Sequence, residues 1–257
     1  MRIFDDIYRK MVFWVGDVRK LDVFPWVTWD VHQHKVRHEE VLEALPLIQY
    51  GDVGLHRDAG FLSNVAIPGF MKHAWIHTQD GNTSPAIIEA ISEGVVKRSP
   101  VYPMFSDYTI ILRPRDVTEA ERKGACLKAQ SIVGERYDHQ FEFDIEEELK
   151  HYGDDSLANL SVRTRDAITH LEEGQEWLCK HDHGFSCTEV VGYAWWHRRD
   201  HLGIFREQHR GKSVIVADKF LNYGWDVIWA SESVTVDVAA KMGLHEEGVE
   251  LIRAYRS

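Results

Sequence analysis

Cysteine is scarce in this chain: three in 257 residues, at Cys126, Cys179 and Cys187. An odd, small number builds no disulfide framework, so the fold must rest on its hydrophobic core, and the compartment is reducing or a thiol is functional. Basic charge is also short, with 30 Lys and Arg against 41 Asp and Glu and a formal net charge of −11. Nucleic-acid affinity comes from cationic contacts to phosphate, and anionic membranes attract the same side chains, so a general nucleic-acid binder and a protein docked on an anionic bilayer are both excluded. Long apolar runs are missing too. The N-terminal run Met11 to Val15 is shorter than a signal-peptide core, and no stretch approaches a transmembrane span. The expectation is a soluble protein without a signal peptide, cytoplasmic or virion-associated, with no transmembrane segment and no nucleic-acid partner. Internal repeats and low-complexity segments are absent.

What remains is a core-forming composition: 44% hydrophobic residues and nine tryptophans. The length suits one large domain with decorations. Residues 1–24 read as an amphipathic helix, and 36–49 as a second that Pro46 kinks or ends. Strands are expected at 51–57, 72–79, 85–92 and 107–112, the last stopped by Arg113-Pro114. Thr118 and Glu121 form a capping-box pair that opens a helix running to about Gly134. Residues 144–176 read as an acidic helical insertion. Further strands are expected at 213–217 and 225–230. Helices beside a mostly antiparallel sheet or small barrel give an α+β class.

The chemistry concentrates at Cys187. Val190, Val191, Ala194 and Trp195 recur at helical spacing behind it, so a helix starts at or just before the cysteine, with Ser186 as its cap. A thiol in a first turn meets unpaired N–H groups and the positive end of the helix dipole, which favours thiolate. A free thiol is only about 3% ionised at pH 7, so a base must assist.

His73, Trp75 and His77 share one strand face, and Ile87, Glu89 and Ile91 share another. A hairpin turning at Asp80-Gly81-Asn82 places residue 73 opposite residue 89, where imidazole and carboxylate hydrogen-bond. A carboxylate that holds one imidazole nitrogen fixes the tautomer and raises the basicity of the other. Taken singly, Cys187 reads as a buried core thiol, His73 as an ordinary histidine and Glu89 as a solvated strand residue. The functional reading rests on the three together.

At these residues the chain resembles the permuted papain-like amidases, the YiiX/YaeF-like branch of the NlpC superfamily. The resemblance lies in GDVGLHRDAGFLSNVAIPGFMKHAWIHT (51–78), AIIEAISEGVV (86–96), DYTIILRP (107–114), IVGERYDHQFEF (132–143) and FSCTEVV (185–191). It implies a permuted papain-like catalytic domain over residues 48–230, with an N-terminal helical extension over 1–47, the insertion at 144–176, and a tail over 231–257 packing on the domain. It implies Cys187 as nucleophile, His73 as general base and Glu89 as the orienting third member, with Tyr137, Asp138 and Ser186 as auxiliary oxyanion or positioning groups, a purely structural turn being the alternative for Tyr137 and Asp138. The implied activity is hydrolysis of an amide, isopeptide or related acyl bond through a thioester, without a cofactor. Cell-wall peptide, a lipid ester and transfer to an acceptor other than water all stay open.

Two rivals come from the residues themselves. Cys179, His181, His183 and Cys187 are zinc-type ligands, although their spacing matches no recognised knuckle and zinc would disable the nucleophile. His73 with His77 makes a weaker pair, since the segment reads as a strand. Alternatively, the fold serves as a structural part of a larger assembly such as a virion, with the acidic insertion and Trp195, Trp196, Trp225 and Trp229 as contact surfaces.

Overall fold

Alternating apolar residues build the centre of the molecule. The computed structural model describes residues 18–20, 27–29, 34–59, 69–78, 86–138, 184–209 and 212–257. The expected insertion at 144–176 lies outside them. So do Cys179, His181, His183 and the turn at Gly81.

The chain opens differently from expectation. Val18–Lys20 (β1) pairs antiparallel with Val27–Trp29 (β2), so the helix expected over 1–24 does not hold at 18–20; the rest of that stretch lies outside the described residues. The β-branched Val18, Val27 and Thr28 favour extended backbone there. His38–Ala44 (α1) ends where Pro46 enters, and a short 3-10 turn, Leu45–Leu47, completes it. Val53–Arg57 (β3), His73–Thr78 (β4) and Ala86–Ile91 (β5) follow as expected. Gly94–Arg98 (β6) and the turn of helix Val101–Met104 (α2) were not foreseen. Tyr108–Pro114 (β7) runs through Arg113-Pro114 instead of stopping before it, because Pro114 pairs with a strand end at Trp225. Glu119–Ser131 (α3) is capped by Thr118, whose Oγ accepts the Glu121 N–H at 3.2 Å.

After α3, Cys187–Ala194 (α4) and the single turn Arg199–Leu202 (α5) lead to a small hairpin of Glu207–His209 (β8) and Lys212–Val214 (β9). The strand expected at 213–217 therefore ends early, and Ala217 begins a 3-10 turn. Trp225–Ala230 (β10) precedes two C-terminal helices, Val236–Lys241 (α6) and Glu246–Arg256 (α7).

Six strands form one open antiparallel sheet in the order β10-β7-β3-β4-β5-β6, flanked by helices, so the fold is α+β. Period-two alternation sends Val53, Leu55, Ala74, Ile76, Ile88 and Ile110 to one face, against Ala125 and Ala129 of α3 and Val190, Val191 and Ala194 of α4. Trp75, Ile87 and Ile111 point to the opposite face and pack under Val41 and Ala44 of α1 with Met104 and Trp229. Trp75 dictates its neighbour: a Cβ on Gly54, its register partner, would stand 2.0 Å from the indole. Among the described residues, no helix is long and apolar enough to cross a membrane.

Candidate active site

The β4–β5 ladder pairs Ile76 with Ile88, His77 with Ile87 and Thr78 with Ala86. Continuing that register puts Trp75, not His73, opposite Glu89. The expected register, symmetric about Gly81, is thus two residues out, because the observed pairs are symmetric about position 82; residues 79–85 lie outside the described ones. A two-residue shift keeps every side chain on its own face. His73 therefore reaches Glu89 along the diagonal, with Nε2 2.7 Å from Oε2. The other carboxylate oxygen accepts a charged hydrogen bond from Nε of Arg98 on β6. Glu89 is fully buried.

Above Ile76 the two strands carry no register partners, and the first turn of α4 lies at this parting. Ser186 occupies the N-cap in extended backbone (φ −77°, ψ 166°), and the Glu189 carboxylate returns to its N–H at 2.9 Å. Arg206 donates to the other Glu189 oxygen at 2.8 Å. This locks the first turn and sets Cys187 at the leading position of the helix. Its Sγ lies 3.9 Å from the Lys72 carbonyl, and the N–H groups of Ala74 and Thr188 donate to the sulfur. The thiol thus sits alongside the backbone of β4, between the two faces. From there it hydrogen-bonds the His73 imidazole, although α4 packs on the face opposite His73. With Nε2 committed to Glu89, Nδ1 is the nitrogen left for the sulfur.

Charge follows this geometry. Burial alone would depress the imidazole, but the thiolate, its hydrogen bond and the Glu89 carboxylate reverse that and raise His73 to about 10. Burial would likewise push the thiol up. The His73 cation and the Ala74 and Thr188 amides outweigh it and hold Cys187 below the ordinary thiol value. For Glu89, burial is again opposed, by His73 first and then by Arg98 and His56, bringing the carboxyl down to about 2. All three shifts favour a thiolate–imidazolium–carboxylate array. The Cys187 residue is 5% exposed and the His73 side chain 20%, so the thiol is recessed beside an imidazole that opens to solvent.

Of the auxiliary residues, Ser186 ends the segment that feeds the helix, and Tyr137 and Asp138 lie on a second segment paired with it. Tyr137 bridges Phe185, the Asp138 N–H donates to the Phe185 carbonyl at 3.2 Å, and Phe185 donates back to Arg136 at 2.9 Å. Burial first, then the charges of Cys187, Asp138 and Glu189, raise the Tyr137 phenol well above its ordinary value. Asp138 is buried. Ser186 serves the helix through its N–H, and its hydroxyl stands 3.4 Å from that of Thr188.

Two residues beside the site were not anticipated. Arg98 is one. The other is His56, the register partner of His73 on β3, whose ring centroid lies 4.6 Å from that of His73 at 39°. Burial, then the neighbouring His73 cation, lower His56 to about 4, so it is neutral where His73 is charged. The polypeptide leading to His73 is also held: the buried Asp218 carboxylate accepts the Phe70 and Met71 N–H groups at 2.5 and 2.6 Å.

Among the described residues, no group of three or more His, Cys, Asp or Glu is arranged to hold a metal ion. His77 is buried on β4, and burial lowers its pKa. Comparison with known proteins adds nothing to this geometry: no protein-family model, no curated protein and no solved structure matches the chain.

Proposed function

We propose that this protein is a cysteine-dependent acyl-transfer enzyme, a hydrolase of an amide, isopeptide or related acyl bond, built as a permuted papain-like fold. One observation carries the reading: Cys187 at a helix start, His73 and Glu89 form an unbroken hydrogen-bonded series drawn from three distant parts of the chain. Isolated features of this kind are common in cores, but a thiol lowered and an imidazole raised by each other are what a nucleophile and its base require.

The chemistry follows from the positions. The Cys187 thiol proton resides on His73 Nδ1, and Glu89 holds the opposite nitrogen. The sulfur attacks the acyl carbon, and the carbonyl π electrons move to oxygen. We assign the Cys187 N–H in the first turn of α4 and the Tyr137 phenol, which feels the Cys187 charge, as the donors to that oxyanion. Collapse of the adduct breaks the bond to the leaving group, which takes the proton from His73 and leaves a thioester on Cys187. A water or another acceptor then loses its proton to His73, attacks the thioester and frees the thiol. The same intermediate serves hydrolysis and acyl transfer, so the reaction class is common to both.

Cys126 provides an internal control. It is also buried, and its Sγ lies 3.5 Å from the His77 carbonyl, a partner that does not ionise it. In the full chain, iodoacetamide should modify Cys187 at least about tenfold faster than Cys126 at pH 7, because the His73 cation holds the Cys187 thiol below its ordinary value. Cys187→Ala should remove the fast phase and all turnover of acyl probes. Equal labelling of wild type and Cys187→Ala would overturn the proposal.

A further inference from the structure

We infer that Arg98 is the fourth member of this site, a positioning residue that acts through Glu89 to set the pH at which Cys187 ionises. The inference rests on the thiol–imidazole reading above and extends it to a residue on the edge strand.

The β5–β6 register pairs Ile87 with Arg98 and Glu89 with Val96, so Arg98 stands diagonal to Glu89 on the same face. Its Nε donates to Glu89 Oε1, while Oε2 is committed to His73. The guanidinium also lies over the Tyr102 ring, 5.7 Å from its centroid, which fixes the side chain from α2. Around Glu89 the charged or titratable groups are His73 on β4, Arg98 on β6 and His56 on β3, with Asp58 acting on His56. Around the sulfur stand His73 and Tyr137, with Asp138 and Glu189 beside Tyr137.

A charge count over Arg98, Glu89, His73 and Cys187 shows what the guanidinium does. With Arg98 present, loss of the thiol proton takes the four groups from net +1 to neutral. Without it, the remaining three go from neutral to net −1. Glu89 is fully buried, and a surplus anion in such a place is disfavoured. Arg98 therefore balances Glu89 permanently, and the His73 charge is left to balance the thiolate. A lysine preserves this count and loses the planar fork; a neutral side chain loses both.

The test is the pH dependence of iodoacetamide modification of Cys187 in the full chain, with Cys126 as reference, in wild type, Arg98→Lys, Arg98→Met and Arg98→Gln. The neutral variants should raise the midpoint by about one pH unit, which is about tenfold less thiolate at any pH below both midpoints. Arg98→Lys should titrate with wild type. A purely structural role for Arg98 would lower thermal stability and leave every midpoint in place, and that result overturns the inference. A full unit's rise in Arg98→Lys overturns it too, even if neither neutral variant folds. A wild-type Cys187 that titrates as an ordinary thiol sinks the underlying site reading itself. A low wild-type midpoint with unmoved neutral variants sinks only the role of Arg98.

Discussion

Asp52 and Glu89 are both fully buried carboxylates, and each is shared between two cationic side chains, yet they do different things. Asp52 receives Nε and Nη2 of Arg113 at 2.9 and 2.7 Å, Nη2 of Arg122 at 2.9 Å, and the Gln49 N–H at 2.7 Å. Both of its partners are permanently charged. The result is a clamp that ties the start of β3 to β7 and α3. Glu89 has one permanent partner, Arg98, and one that titrates, His73, which in turn holds a thiol. Replacing one guanidinium by an imidazole turns a lock into a place where a proton can move. The difference between the two regions is therefore in the partner that can let go, since both acids are fully buried and each is bonded by two cationic side chains.

The largest expected effect comes from breaking the clamp. Asp52→Ala leaves two arginines facing each other. Their side chains are 22% and 13% exposed and can turn partly to water, so the cost falls at the low end for a buried ion pair, about 3 kcal/mol of unfolding free energy. Denaturant titration measures this. In molecules that remain folded, the Cys187 alkylation midpoint should stay at its wild-type value. A displaced midpoint would mean that Asp52 belongs to the site and that the two acids are not separate in role.

Glu89→Gln attacks the other member, with a smaller effect of a different kind. Removing the carboxylate charge lowers the affinity of His73 for its proton, so the alkaline limb of turnover should fall from near 10, costing about twofold at pH 9 for a one-unit fall and about tenfold for two units. This is a displacement of the base limb, whereas neutral variants at Arg98 displace the acid limb. Stability carries a second signature. The folded carboxyl sits near 2 against an ordinary 4.5, a depressed value, so its contribution is complete above about 4.5 and drains away as pH falls through 2. Acid unfolding of Glu89→Gln should lack that part of the slope. An unchanged alkaline limb in this variant would remove Glu89 from the array.

The thiol–imidazole–carboxylate half of this comparison was largely legible in the sequence and the clamp half was not. Ser186 and the apolar spacing behind Cys187 are local signals, and α4 starts where they place it. The faces of β4 and β5 are also local, because alternation needs only neighbouring residues. Register is not local. It depends on where the centre of the hairpin falls, and the turn glycine put that centre one residue before position 82, about which the observed pairs are symmetric. The error was harmless for His73 and Glu89 because two residues preserve the face. Arg98 was missed with its whole strand, although Ser92-Glu93 before Gly94, at φ 121°, is a two-residue hairpin connection. The Asp52 clamp depends on Arg113 and Arg122, which lie 61 and 70 residues away, and no spacing rule joins them. At the N-terminus, helical periodicity was read across Val18–Lys20, where β-branching and pairing with Val27–Trp29 prevail.

The smallest expected effect sharpens the comparison from the side of the imidazole. Glu89 holds His73 by one atom, and a ring held by one hydrogen bond can still pivot about it. His56 closes that freedom by lying against the ring at 4.6 Å. An aromatic contact of this kind is worth roughly 0.5–1.5 kcal/mol, so His56→Ala should slow acylation by about twofold to tenfold without moving the alkaline limb. His56→Phe keeps a ring in contact and should recover most of the rate at pH 7. It should also exceed wild type at the acid end, because His56 takes up a proton near pH 4 and then sets a second cation against His73, whereas phenylalanine cannot. Equal rates for His56→Ala and wild type across pH 4 to 9 would show that the carboxylate alone orients the base, and the contrast between Asp52 and Glu89 would then rest on Glu89 and its two direct partners.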